Sequence, residues 1–240
     1  MKKFILSVLA FIALSAVAQK NKDVPDSVSA TRTLSSSFSA ITVSDGIELY
    51  LTEGNEAPIL VSAAEQKYLD RFKTEVDHGV LKLYFDYKGI NWAMNINRKL
   101  KAYVSYKTLD KLNASGGATV EAVNTITVPS LAMSFTSGSH FKGKVDIKDL
   151  SVDQNSGSGI AISGKADKIK VEGSSGSIFK GYDLAVDYCD AKSTSGAGVH
   201  ITINKELTAK ANSGGGIRYK GEAMIKDVNV SSGGVVKREK

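Results

Sequence analysis

From Ser115 to Gly234 one short phrase keeps returning: Ser, then Gly, then Gly, Ser or Ala. It stands at Ser115-Gly116-Gly117, Ser137-Gly138-Ser139, Ser156-Gly157-Ser158, Ser175-Gly176-Ser177, Ser195-Gly196-Ala197, Ser213-Gly214-Gly215 and Ser232-Gly233-Gly234. The intervals from Ser to Ser are 22, 19, 19, 20, 18 and 19 residues. Self-similarity at such a period is the mark of a solenoid. Between the phrases lie strand-like runs such as Gly159-Ile-Ala-Ile-Ser163 and Val199-His-Ile-Thr-Ile203. A coil of about 19 residues at roughly 3.3 Å per residue has a perimeter near 60 Å, room for two or three short strands and their corners. The phrase then marks one corner in every coil, with Gly116, Gly138, Gly157, Gly176, Gly196, Gly214 and Gly233 as its turn residues. Gly reaches positive φ without steric cost, and stacked Ser hydroxyls can bond the backbone there. A flexible Gly/Ser linker would lack the apolar β-branched residues that flank each phrase. The expected fold is all-β, a right-handed β-helix-like solenoid.

The start of the chain reads differently. Lys2 and Lys3, the apolar run Phe4 to Leu14 and the small residues Ala16-Val17-Ala18 have the make-up of a secretory signal peptide over residues 1–18. About a dozen apolar residues are too few to span a bilayer. The protein is therefore expected to be exported, to the periplasm, the medium or the cell surface. Residues 19–35 read as a disordered leader. Residues 36–114 carry most of the aromatics, alternating strands, a short helix near Tyr68 and Leu69, and a hairpin turn at Asp77-His78-Gly79. They read as a β-rich cap over a solenoid of residues 115–236, the two forming one continuous domain (36–236).

At this point a resemblance enters. Phe38-Ser-Ala-Ile-Thr-Val-Ser-Asp-Gly-Ile-Glu-Leu-Tyr-Leu-Thr-Glu-Gly54, the junction Leu112-Asn-Ala-Ser-Gly-Gly117, the repeated Ser-Gly phrases and the ending through Val228-Asn-Val-Ser-Ser-Gly-Gly-Val235 resemble the head GIN domain family. That family is known by the label of auto-transporter adhesins. The resemblance implies an exported β-helix-like domain without an established enzymatic activity, and it carries no catalytic or ligand motif onto particular residues.

The formal charge of +6 falls to +4 once Lys2 and Lys3 are removed, and the basic residues are spread along the chain. A nucleic-acid partner needs a concentrated patch, so none is expected. The carboxylates Asp146, Asp149, Asp153, Asp167, Asp183, Asp187 and Asp190 alternate with lysines in the manner of a solvated, mixed-charge surface. Asp183, Asp187 and Asp190 are the densest group, and a carbohydrate-active hydrolase or lyase using them is the alternative function. His140 and His200 fall three coils apart and cannot share a metal, and His78 reads as a turn residue. Cys189, the single cysteine, reads as a small semi-buried side chain. No cofactor or metal is expected. Trp92, in the Asn-rich run Gly89-Ile-Asn-Trp-Ala-Met-Asn-Ile-Asn97, is the candidate ligand-binding residue, as a sugar-stacking platform or else as a cover for the cap. The leading expectation is a non-catalytic binding or structural module for a glycan or an envelope protein. Self-association through the flat sheets or the last coil near Val235 and Val236 is a further expectation.

Overall fold

The computed structural model describes residues 27–55, 57–89 and 97–240. The expected signal peptide, the first part of the leader and Trp92 lie outside the described residues. In chain order the elements are β1 (Val28–Arg32), β2 (Ala40–Val43), β3 (Glu48–Glu53), β4 (Ile59–Ala63), α1 (Gln66–Leu69), β5 (Phe72–Asp77), β6 (Val80–Phe85), β7 (Lys101–Tyr106), β8 (Lys111–Ala114) and β9 (Thr119–Ala122). They continue with β10 (Ile126–Phe135), β11 (His140–Gln154), β12 (Gly159–Gly173), β13 (Ile178–Ser193), β14 (Gly198–Ala211), β15 (Gly216–Lys220), β16 (Met224–Val230) and β17 (Val235–Arg238). From β10 to β14 each strand pairs in parallel with the next, β14 then pairs with both β15 and β16, and β15 with β17, so the chain winds as a β-solenoid of about seven turns.

Each long strand bends into limbs. In β11 the buried residues are Phe141, Val145 and Ile147, then Leu150, Val152 and Gln154, so the alternation slips by one residue at Lys148-Asp149. The pairing ladder omits Pro129, Lys148 and Asp167 at this place. Proline has no N–H to donate, so an unpaired corner is a position that tolerates it. A first limb (His140 to Lys144 in β11) and a second limb (Asp149 to Gln154) thus form separate faces of the stack.

The Ser-Gly phrase closes the coil between the second limb and the next first limb. Ser137, Ser156, Ser175, Ser195, Ser213 and Ser232 have φ between 47° and 53°, and the glycines that follow have φ between 71° and 74°. Positive φ at both central positions defines the type I′ turn. The third residue of each phrase closes it, as where Ser158 N–H donates to Asn155 O at 3.1 Å. Adjacent turns are also tied to each other: Gly138 N–H donates to Ser156 O and Gly157 N–H to Ser175 O, both at 3.1 Å. The hydroxyls that bond the backbone belong to the second Ser of the phrase. Ser139, Ser158 and Ser177 are buried, and their Oγ atoms donate to the carbonyls of Ala114, Phe135 and Gln154 at 2.9, 2.8 and 3.2 Å.

One expected turn residue moves. The sequence aligns Gly116 with Gly138, but Gly116 (φ 56°) occupies the place of Ser137 and Gly117 (φ 75°) that of Gly138. Gly117 N–H donates to Ser137 O at 2.9 Å, which fixes the offset. The column also starts earlier than expected, because Gly46 N–H donates to Gly116 O at 2.9 Å and Asp45-Gly46 has the same pair of positive φ values.

Inside, large and small residues alternate from coil to coil. Phe141 is followed by Gly143 on the same face and Phe179 by Gly181, whereas the intervening coil carries Ile160 and Ile162. A Cβ on Gly143 would lie 2.8 Å from Phe141 Cζ, and one on Gly181 would lie 2.5 Å from Phe179 Cε1. The missing side chains are where the phenyl rings lie. Close packing without voids is then met by two different solutions in successive coils.

The N-terminal half is not simply a cap. β2 and β3 form a coil of the solenoid with Asp45-Gly46 as its turn, and β8 and β9 form the next. On the other side of β2 and β3 lie β6 and β7, although they come later in the chain. The link from β7 to β8 therefore passes over one coil. What closes the end is antiparallel: β5 on β6, β4 on β7 and β1 on β4. Residues 28–32, expected within a disordered leader, are this outer strand β1. The alternating Val28 and Ala30 pack against the core, which the polar composition of the leader concealed.

Candidate binding face

The outward residues of the first limbs fall into columns one coil apart, about 4.8 Å. One column reads Tyr103, Tyr50, Glu121, Lys142, Ala161, Lys180, His200, Arg218, Lys237 along the stack. The neighbouring column, nearer the Ser-Gly turns, reads Thr119, His140, Gly159, Ile178, Gly198, Gly216, Val235. At Gly159 the place of the missing side chain is taken by the His140 ring, whose Nδ1 would lie 2.7 Å from a Cβ there. Beside it a depression of about 300 Å³ is walled by His140, Ile178 and Lys180.

Aromatic rings stack at two places on this face. Tyr50 and Tyr103 stack at 4.9 Å, and Tyr50 Oη donates to Glu48 at 3.1 Å, while Lys101 pairs with the same carboxylate at 2.9 Å. Farther along, Tyr182 stacks on His200 at 5.2 Å, and the Lys220 ammonium lies 5.2 Å from the Tyr182 ring centre. Tyr182 Oη donates to Glu239 at 2.8 Å, and Arg218 pairs with that carboxylate at 3.3 Å. The tyrosine hydroxyl, ahead of Arg218, holds the Glu239 carboxyl below the usual range. Burial lowers the His200 pKa first, and the charge of Arg218 lowers it further.

The face is strongly asymmetric in charge. From His140 onward it carries Lys142, Lys144, Lys180, Arg218, Lys220 and Lys237, against Glu239 and, at the bulge on its margin, Asp183. The second face is balanced instead. There Lys170 and Lys192 both pair with Glu172 at 2.8 and 3.5 Å, and Lys226 pairs with Glu206 at 3.0 Å. At the corner and its margins Lys165 pairs with Asp146 at 3.1 Å and Lys205 with Asp187 at 2.6 Å. Mixed charge in the sequence thus resolves into a balanced second face and a first face with an excess of basic residues, where Glu121 is the column neighbour of Lys142 and Glu239 pairs with Arg218.

The residues considered for catalysis disperse. Asp187 lies at the corner bonded to Lys205, Asp190 stands in the second-face column between Lys170 and Thr208, and Asp183 sits in the first-limb bulge. Among the described residues no three His, Cys, Asp or Glu side chains come together to hold a metal. His140 and His200 stand in different columns three coils apart. Cys189 points into the core, and burial pushes its thiol pKa up to about 12. His78 (φ 48°) and Gly79 (φ 75°) make the turn between β5 and β6.

With this geometry in view, the chain can be set beside known proteins. The family model described as "Putative auto-transporter adhesin, head GIN domain" matches residues 37–223. The chain belongs to the head GIN domain family. Solved structures share its fold. A "putative adhesin" from Bacteroides fragilis superposes with a TM-score of 0.80 at 16% identity, covering 89% of this chain and 97% of the other. A "putative adhesin" from Parabacteroides merdae gives 0.70 at 17% identity over 90% and 97% of the two chains. A "putative lipid binding protein" from Parabacteroides distasonis gives 0.62 at 18% identity, again over 90% and 97%. No curated protein matches the chain. At such identities the likeness speaks for the fold of this head GIN domain and not for its ligand.

Proposed function

We propose that this head GIN domain is an exported, non-catalytic adhesin-like module that holds a glycan or an envelope protein against the outward surface of its first limbs. The observation that supports this most is the continuous ladder of that face, with side chains repeating every coil, a depression between His140, Ile178 and Lys180, and stacked aromatic rings at two places along it. Solenoids commonly recognise extended partners on such a surface. Export rests on the composition of residues 1–18, with membership of an adhesin-labelled family in keeping with it. No helix among the described residues is long and apolar enough to cross a membrane. A glycan array together with a pull-down from envelope extract tests the reading with the mature protein. Retention of a glycan or an envelope protein is expected. Silence in both, with turnover of a polysaccharide, would refute it.

A further inference from the structure

We infer that the basic first face binds a linear acidic polysaccharide, one carrying uronate carboxylates, laid along the solenoid axis. The inference rests on the binding reading above and narrows it to one ligand class and one face. Three observations converge on it. First, Lys142, Lys180 and Arg218 stand in one column at every second coil, which spaces them by roughly 9.6 Å along the axis. That interval is comparable with two sugars of an extended polyuronate, so every second carboxylate of such a chain can meet a cation. Lys142, Lys144 and Lys180 form no ion pair among the described residues, in contrast to the paired lysines of the second face.

Second, the protein already holds one carboxylate on this face. Glu239 lies between the Tyr182 hydroxyl and the Arg218 guanidinium, an arrangement of one neutral donor and one cation that a uronate could meet elsewhere on the column. Third, the depression beside Lys180 is walled by Ile178 and by the His140 ring that lies on Gly159, so a sugar ring has an apolar and a polar side to rest on. Ala161 between Lys142 and Lys180 leaves the path between the two cations low. An acidic chain fits this combination of regular single cations and a shallow depression. A bilayer surface would instead meet a flat face and would not sense the two-coil interval.

The test uses the mature protein and polygalacturonate fragments, with binding followed by calorimetry at low and raised salt. Binding is expected, falling as salt screens the exposed charges. The fully methyl-esterified polymer, with the same backbone and no charge, should bind at least tenfold more weakly. The double variant Lys142→Gln/Lys180→Gln should weaken binding about tenfold, as expected from losing two exposed charge pairs. The control Lys170→Gln/Lys192→Gln on the second face should leave binding unchanged. Circular dichroism melts of both variants establish that each is folded. Equal binding of the ester, equal loss in the control, or preferential binding to vesicles of anionic phospholipid would overturn the inference. So would no binding to polygalacturonate at all. If a neutral glycan or an envelope protein is retained undiminished by the Lys142/Lys180 variant, the general binding reading stands and only this inference falls.

Discussion

The two faces of the solenoid are made by the same ladder, the same period and the same alternation, yet they differ in charge. On the second face opposite charges pair both within a coil, Lys170 with Glu172, and between successive coils, Lys192 with Glu172 and Lys226 with Glu206. On the first face Lys142, Lys180 and Arg218 recur with the same sign every second coil. Parallel stacking brings like positions within about 5 Å, so self-repulsion is the default and pairing has to be arranged. The second face arranges it, and the first face instead sets Ala161 and His200 between Lys142, Lys180 and Arg218, with Lys237 beside Arg218 in the next coil. Backbone geometry imposes neither pattern.

The sharpest way to break this comparison is to disturb the interior, which both faces share. Gly181→Ile places a side chain into Phe179, and overpacking of this kind should cost about 3 kcal/mol. Adding Phe179→Ile should return stability to within about 1.5 kcal/mol of the starting protein, because the pair then copies Ile160 and Ile162. Urea denaturation of the single and double variants checks both values. If the second substitution does not rescue the first, the alternation of large and small residues is incidental. Next in size, Ser158→Ala removes a buried hydroxyl from the Phe135 carbonyl and should cost about 1 kcal/mol by the same measurement.

Acid should separate the faces. The Lys170 ammonium, the first cause, holds the Glu172 carboxyl below its usual range. A depressed carboxylate contributes stability that is present above the unfolded pKa and is lost as pH falls through the folded one. The ion pairs of the second face should therefore open only below about pH 4, a small effect because the groups are exposed to solvent. A carboxyl-detected NMR titration of Glu172 reads it directly. An ordinary midpoint would show that the pairing is loose in solution. Smallest of all is the response of Cys189. With its thiol buried and its pKa pushed up to about 12, it should resist thiol reagents in the native protein and react on unfolding. Labelling at native rates would mean that coils β12 to β14 open readily.

Much of the architecture could be read from the chain because seven Ser-Gly phrases keep one interval. The N-terminal coils escaped that reading for a topological reason. Asp45-Gly46 and Gly116-Gly117 are neighbours in the turn column, but β4 to β7 intervene in sequence, so no period links them. Strand β1 was hidden because its partner β4 lies far along the chain and its composition is polar. The basic face was illegible for a different reason. Lys142, Lys180 and Arg218 recur at two-coil intervals, and the acidic residues between them in sequence belong to other sides of the coil. Only folding sorts the charges. Trp92, the residue singled out for ligand contact, lies outside the described residues, whereas Tyr182, which no sequence pattern marks, is joined to His200 only by stacking in the fold.

The bulge at Tyr182-Asp183 has a consequence for how such a molecule can change. Between Ser175 and Ser195 there is one residue more than in the two coils before, and the register breaks between Gly181 and Ala185, yet the turns at Gly176 and Gly196 still meet their neighbours. An insertion is absorbed on the far side of the loop from the hinge that keeps count. Length errors are forgotten within a single winding, so mutation can add or delete residues there while every later winding keeps its place.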